Sequence, residues 1–140
     1  MAQVVADYQG RKRIVFTARE RSLVNVRVAR DDGPVGLTSE ELLLVALGNC
    51  TLGTLLKHDL LKEVPVRHCR ATLESDWADD PRRVVAIRVV IELEVEDAKV
   101  RGREDTLRRV AERCPIGNTL RSSPRVDVEL RLKAAEPAEA

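Results

Sequence analysis

The stretch Thr38-Ser39-Glu40-Glu41-Leu42-Leu43-Leu44-Val45-Ala46-Leu47-Gly48-Asn49-Cys50-Thr51 decides how the rest of the chain must be arranged. Thr38 with Glu41 three residues on is a capping box, and Glu40 and Glu41 suit the positive end of a helix dipole. The helix predicted from there runs from Glu40 to about Asp59 and is apolar on nearly every face. Such a helix must be buried on every face. At 1.5 Å per residue it spans roughly 30 Å, the width of a small domain. A chain of 140 residues can hardly enclose that rod alone, so burial against a second copy is the simpler arrangement.

On the N-terminal side, Arg13-Ile14-Val15-Phe16-Thr17 reads as one strand and Val24-Asn25-Val26-Arg27-Val28, with alternating polarity, as another. Asp31-Asp32-Gly33-Pro34 is turn chemistry. On the C-terminal side a second β region is predicted. Val85, Ile87, Val89, Ile91, Leu93 and Val95 share one face, and Arg88, Glu92 and Glu94 take the other. Val66 to Trp77 is its partner strand, with Pro81 in the turn. Arg103 to Arg113 is an amphipathic helix, on which Leu107, Val110, Ala111 and Cys114 follow helical spacing. Pro115 biases Cys114 away from helical geometry and starts a short new helix. Val126, Val128, Leu130 and Leu132 alternate as a last strand, and 135–140 read as a frayed tail after a single domain spanning 1–134. Strands segregated from helices predict an α+β fold, antiparallel sheets packed on helices.

Composition narrows the function. Apolar residues make up 44% and charged residues 34% of the chain, which describes a globular protein. Lys and Arg number 24 against 23 Asp and Glu, so no basic footprint for nucleic acid or an anionic membrane exists. No signal peptide is recognisable, and the interrupted apolar run from Leu42 to Leu56 is shorter than the roughly 20 residues of a spanning helix. Three cysteines do not suit a secreted disulfide scaffold. The expectation is a cytoplasmic protein with reduced thiols.

Those thiols are the residues with chemistry to offer. Cys50 and Cys114 lie 64 residues apart. They are a redox pair if the fold joins them and two small core residues if it does not. Cys114 ends one helix and is placed to cap the next, where a thiolate is stabilised. Cys69 shares a strand face with Ala71 and Leu73 and reads as structural. His58 and His68 have no Cys or His at ligand spacing, which argues against a metal site, and no Gly-rich nucleotide loop occurs.

The quoted stretch resembles the first signature of the OsmC/Ohr family of peroxide-reducing proteins, in which an acidic residue precedes the reactive Cys by ten positions. Glu40 does so here. Val110-Ala111-Glu112-Arg113-Cys114-Pro115-Ile116-Gly117-Asn118-Thr119-Leu120 resembles the second signature, a Cys-Pro followed by a small-polar helix. The resemblance implies an OsmC/Ohr-like fold with a long central buried helix, in an intertwined homodimer with active sites at the subunit interface. It implies a peroxidase acting on organic hydroperoxides, with hydrogen peroxide as a further candidate. Cys50 would become a sulfenic acid, Cys114 would condense with it to a disulfide, and an external dithiol would reduce that bond, with no metal or cofactor. It also implies an Arg held by Glu40 beside Cys50: Arg11, which follows Gly10 in an early loop, with Arg30 and Arg27 as the other candidates. Thr51 stands where the hydroperoxidase branches often carry an aromatic residue. An OsmC-like dimer that binds a small hydrophobic ligand without turnover is the reading from another class.

Overall fold

The computed structural model describes residues 1–27, 36–96 and 98–138. Strands β1 (Val5–Tyr8), β2 (Arg13–Ala18) and β3 (Arg21–Val26) form an antiparallel sheet in the order β1-β2-β3. Its hairpins turn through Arg11, Lys12 and Arg19, all at positive φ. Helix α1 (Ser39–Leu56) follows, then the hairpin β4 (Val66–Ala78) and β5 (Arg83–Val95), a 3-10 turn at Ala98–Val100, and helices α2 (Glu104–Glu112) and α3 (Pro115–Arg121). The α+β class agrees with the expectation, and so does the order of strands, long helix, strands and helices as far as α3; β1 was not foreseen.

α1 begins where its sequence says. The Thr38 hydroxyl accepts from the Glu41 amide at 3.1 Å, and the Glu41 carboxylate accepts from the Thr38 amide at 2.9 Å. Such a cap contributes about 1 kcal/mol. The helix stops at Leu56 rather than at Asp59, because the His58 amide turns back to the Leu55 carbonyl and the Leu61 amide to that of His58. With 18 residues, α1 is long and apolar enough by length and composition alone to cross a membrane, a test that core helices of soluble proteins also pass. Within this chain only 22% of it is buried. Leu47, Gly48, Thr51 and Leu55 are the covered positions, against α2, α3 and β4. Gly48 marks the close crossing with β4, since a Cβ there would sit 3.1 Å from Leu73 Cδ1.

The hairpin register pairs Cys69 with Leu93, Ala71 with Ile91, Leu73 with Val89 and Ser75 with Ile87, and these half-buried side chains face the helices. Val85 departs from the predicted face. A bulge shifts the pairing between Asp76 and Trp77, so that Trp77 opposes Val84 and Val85 is left 52% exposed. The core proper consists of Leu55, Leu61, Val100 and Leu107, with Val110, Ile91 and Leu93 packed against it.

A buried amide ties the N-terminal sheet to the approach to α1. Asn25 Nδ2 donates to the Leu37 carbonyl at 3.0 Å and its Oδ1 accepts from the Leu37 amide at 2.9 Å. Gly36 lies against this clasp with no room for a side chain: a Cβ would fall 2.5 Å from Asn25 Oδ1 and 2.6 Å from the Val26 carbonyl oxygen.

The predicted last strand is not formed. Residues 123–138 carry no strand, and Val126, Val128, Leu130 and Leu132 are 79%, 89%, 85% and 90% exposed. Their alternation is that of a strand, but this chain supplies no sheet edge against which they pair.

Candidate functional site: a cysteine pair between helices

α1 is apolar because its inner face meets the corner between α2 and α3. That meeting brings Cys50 and Cys114 together. The amphipathic pattern of α2 buries Leu107 and Ala111 and delivers Cys114, 1% exposed, onto α1. Pro115 occupies the first turn of α3, and Cys114 is its extended N-cap, φ −64 and ψ 141, as the Cys-Pro dipeptide predicts. The Cys114 Sγ accepts from the Gly117 amide at 3.2 Å, and Thr51 Oγ1 lies 3.5 Å away. Cys50, half-buried one residue earlier on α1, accepts from the Ile116 amide at 3.5 Å. Both sulfurs thus accept from amides of the same first turn of α3. All three cysteines are free thiols.

The two helices thus set one sulfur above the first turn of α3 and the other at its cap. Burial pushes the Cys114 thiol up, but the Thr51 hydroxyl, the Gly117 amide, the Cys50 thiol and the Arg121 charge outweigh it. The net displacement is below the ordinary thiol range. At Cys69, by contrast, burial acts alone and pushes the thiol up. Cys69 lies on the helix-facing row of β4, as expected of a structural residue.

Within the single chain, Glu40 faces β4. Its carboxylate accepts hydrogen bonds from Ser75 Oγ and Trp77 Nε1, both on β4. Ten residues of helix put it about 15 Å along the axis from Cys50. Arg11 lies exposed in the β1–β2 turn, and among the described residues it forms no ion pair with Glu40. Arg27 reaches the residue before Glu40, its Nη1 donating to Ser39 Oγ at 3.1 Å. Arg30 lies outside the described residues. Arg82 stacks over Trp77, 4.5 Å from the ring centroid.

Sequence reasoning missed Thr51, Gly117 and Arg121 as neighbours of Cys114. The signal for Thr51 was its place beside Cys50. Gly117 and Arg121 follow Cys114 by three and seven positions, one and two turns along a helix that Pro115 announces. Beside Cys114, but not reaching Cys50, opens a groove of about 1250 Å³ between β5 and the three helices, lined by Leu43, Leu47, Ile91, Leu107, Cys114 and Arg121 among others. Among the described residues no cluster of His, Cys, Asp and Glu has the arrangement of a metal site.

The chain is thus α+β, with a long helix that meets a Cys-Pro corner. Residues 30–129 match the OsmC-like protein family, and the chain belongs to that family. Solved structures agree at the level of fold. An OsmC-like protein from Mycoplasma pneumoniae superposes with a TM-score of 0.71 at 15% identity, over 88% of this chain and 89% of that one. A hypothetical protein from Aquifex aeolicus gives 0.66 at 16%, over 88% and 89%. An OsmC-like protein of unknown function from Vibrio cholerae gives 0.61 at 10%, over 85% and 92%. No curated protein matches the sequence.

Proposed function

We propose that this chain is a thiol-dependent peroxidase that reduces organic hydroperoxides. The observation that carries the reading is the meeting of Cys50 and Cys114 over the first turn of α3. Cys50, the more accessible thiol, attacks the terminal peroxide oxygen as its thiolate. The S–O bond forms as the O–O bond breaks, and the alkoxide leaves and takes a proton to become the alcohol. Cys114 then attacks the resulting sulfenic acid, the S–S bond replaces S–O, and the departing hydroxide takes a proton to become water. An external dithiol restores both thiols and is itself oxidised.

The working unit in this proposal is a homodimer. α1 presents an apolar surface that its own chain leaves mostly uncovered, and a second copy is the matching cover. A cation anchored by Glu40 then acts on Cys50 across the subunit interface, since within one chain the two residues lie about 15 Å apart along the helix. The competing reading, a dimer that holds a small hydrophobic ligand without turnover, draws on the groove beside Cys114.

One equivalent of cumene hydroperoxide added to the reduced protein should consume two thiols, and peptide mapping should find a Cys50–Cys114 bridge with Cys69 reduced. If all three thiols still titrate afterwards, the peroxidase reading is lost and the ligand-binding one gains. Cys50→Ser should abolish peroxide consumption, whereas Cys114→Ser should give one turnover and a sulfenic acid that overoxidises.

A further inference from the structure

Gly117 is the floor of a small space that two groups share. A Cβ on Gly117 would lie 3.1 Å from Cys114 Sγ and 3.3 Å from Arg121 Nη1. The sulfur and the guanidinium therefore flank one point, on the side where the Gly117 amide already donates to the sulfur. Arg121 is held there rather than free to swing. Its Nη1 donates to the Glu112 carbonyl at 2.7 Å, across the α2–α3 corner, and lies 3.5 Å from Asn118 Oδ1. Nearby charges are differently engaged. Arg108 pairs with Glu112 at 2.7 Å and with Asp105 at 3.7 Å, while Arg88, Glu94 and Glu104 border the groove from β5 and α2.

We propose that Arg121 is a positioning residue of the cysteine pair, whose guanidinium, clipped over Gly117, stabilises the Cys114 sulfur as a thiolate. The direction in which the Cys114 thiol is displaced agrees with this, Arg121 being one of the groups that bring it down. The consequence for turnover rests on the peroxidase reading. In a Cys50–Cys114 disulfide the exposed sulfur is that of Cys50, so one thiolate of the external dithiol attacks Cys50. A mixed disulfide forms, the Cys50–Cys114 bond breaks, and Cys114 departs with the electron pair. A better stabilised thiolate leaves faster. The second thiol of the dithiol then displaces Cys50, which leaves an oxidised reductant and two reduced cysteines.

The first test needs no peroxide. In a Cys50→Ser, Cys69→Ser background Cys114 is the sole thiol, and the serine at 50 retains a hydroxyl donor. Its thiolate is followed by absorbance near 240 nm against pH. Arg121→Gln, which keeps a donor for the Glu112 carbonyl without the charge, should move the titration to higher pH, with about threefold to tenfold less thiolate at a given pH below the midpoint. Arg121→Lys should return most of the loss. An unmoved titration in Arg121→Gln, with an unchanged circular dichroism spectrum, overturns the proposal; a shift that Lys fails to restore does so as well, because the charge is then not the cause. In the parent protein, Arg121→Gln should slow reduction of a preformed Cys50–Cys114 disulfide by dithiothreitol. If no such disulfide can be formed, the peroxidase reading falls while the titration still decides the role of Arg121.

Discussion

Glu40 shows how one side chain can satisfy two descriptions. At the helix start it favours the dipole, and its two oxygens also take the Ser75 hydroxyl and the Trp77 indole. Glu40→Gln leaves an amide with a single acceptor oxygen and removes the charge. It should cost about 1–2 kcal/mol in urea unfolding, the size of one charge-assisted hydrogen bond. Trp77 is the only tryptophan, so its emission should change in the same variant. An unchanged midpoint and spectrum would show that the β4 contacts contribute nothing. Cys69 gives the second expectation at this scale. Because burial raises its thiol, its thiolate appears only as pH climbs past the ordinary thiol value. In a Cys50→Ser, Cys114→Ser variant, iodoacetamide labelling of the native protein should therefore lag that of the unfolded protein and rise at higher pH. Labelling at the unfolded rate near neutrality would contradict this. The sign for stability follows: a raised folded-state value means stability is present below the unfolded thiol value and is lost as pH rises through the folded one.

Among the elements, segment 123–138 carries the clearest mismatch between pattern and structure. Val126, Val128, Leu130 and Leu132 alternate with Arg125, Asp127, Glu129 and Arg131, which pair along the chain at 2.9 Å (Arg125–Asp127) and 3.1 Å (Arg131–Glu129). A strand with one apolar and one charged face needs a neighbouring edge to satisfy its amides. In the proposed dimer a second copy offers one, so deleting residues 124–140 should weaken association and leave the α1–α3 contacts intact. A truncated chain that dimerises like the parent would remove that role. What the sequence made legible follows the same physics. The capping box, the helical spacing of Leu107 to Cys114 and the Cys-Pro break are local signals, and each located its element. The Val85 bulge and the termination of α1 at Leu56 were not legible, because they depend on backbone pairing that no side-chain period records. The cysteine meeting was legible only through family resemblance, since contacts between residues 64 apart leave no trace in spacing. Thr51 escaped because its partner Cys114 lies on another element, and Arg121 because its approach to Cys114 depends on the α2–α3 corner that holds its guanidinium.

At the scale of the whole molecule, the buried apolar side chains are few for a chain that is 44% apolar. Leu23, Val24, Leu37 and Val45 are all among the exposed ones. A second copy covering α1 should bury more than about 2,000 Å² in total, in the range of obligate interfaces. Light scattering at micromolar concentration should give twice the 15.6 kDa chain mass, and a monomeric mass would remove the interface on which the proposed role of Glu40 depends.

The Asn25–Leu37 clasp has a consequence for how chains of this kind can change over time. Two hydrogen bonds from one buried amide fix where the first sheet ends and the approach to α1 begins. Asn25 and Gly36 are therefore positions that drift can hardly alter: a side chain at 25 without an amide leaves the Leu37 backbone groups without their partner, and any side chain at 36 strikes the clasp.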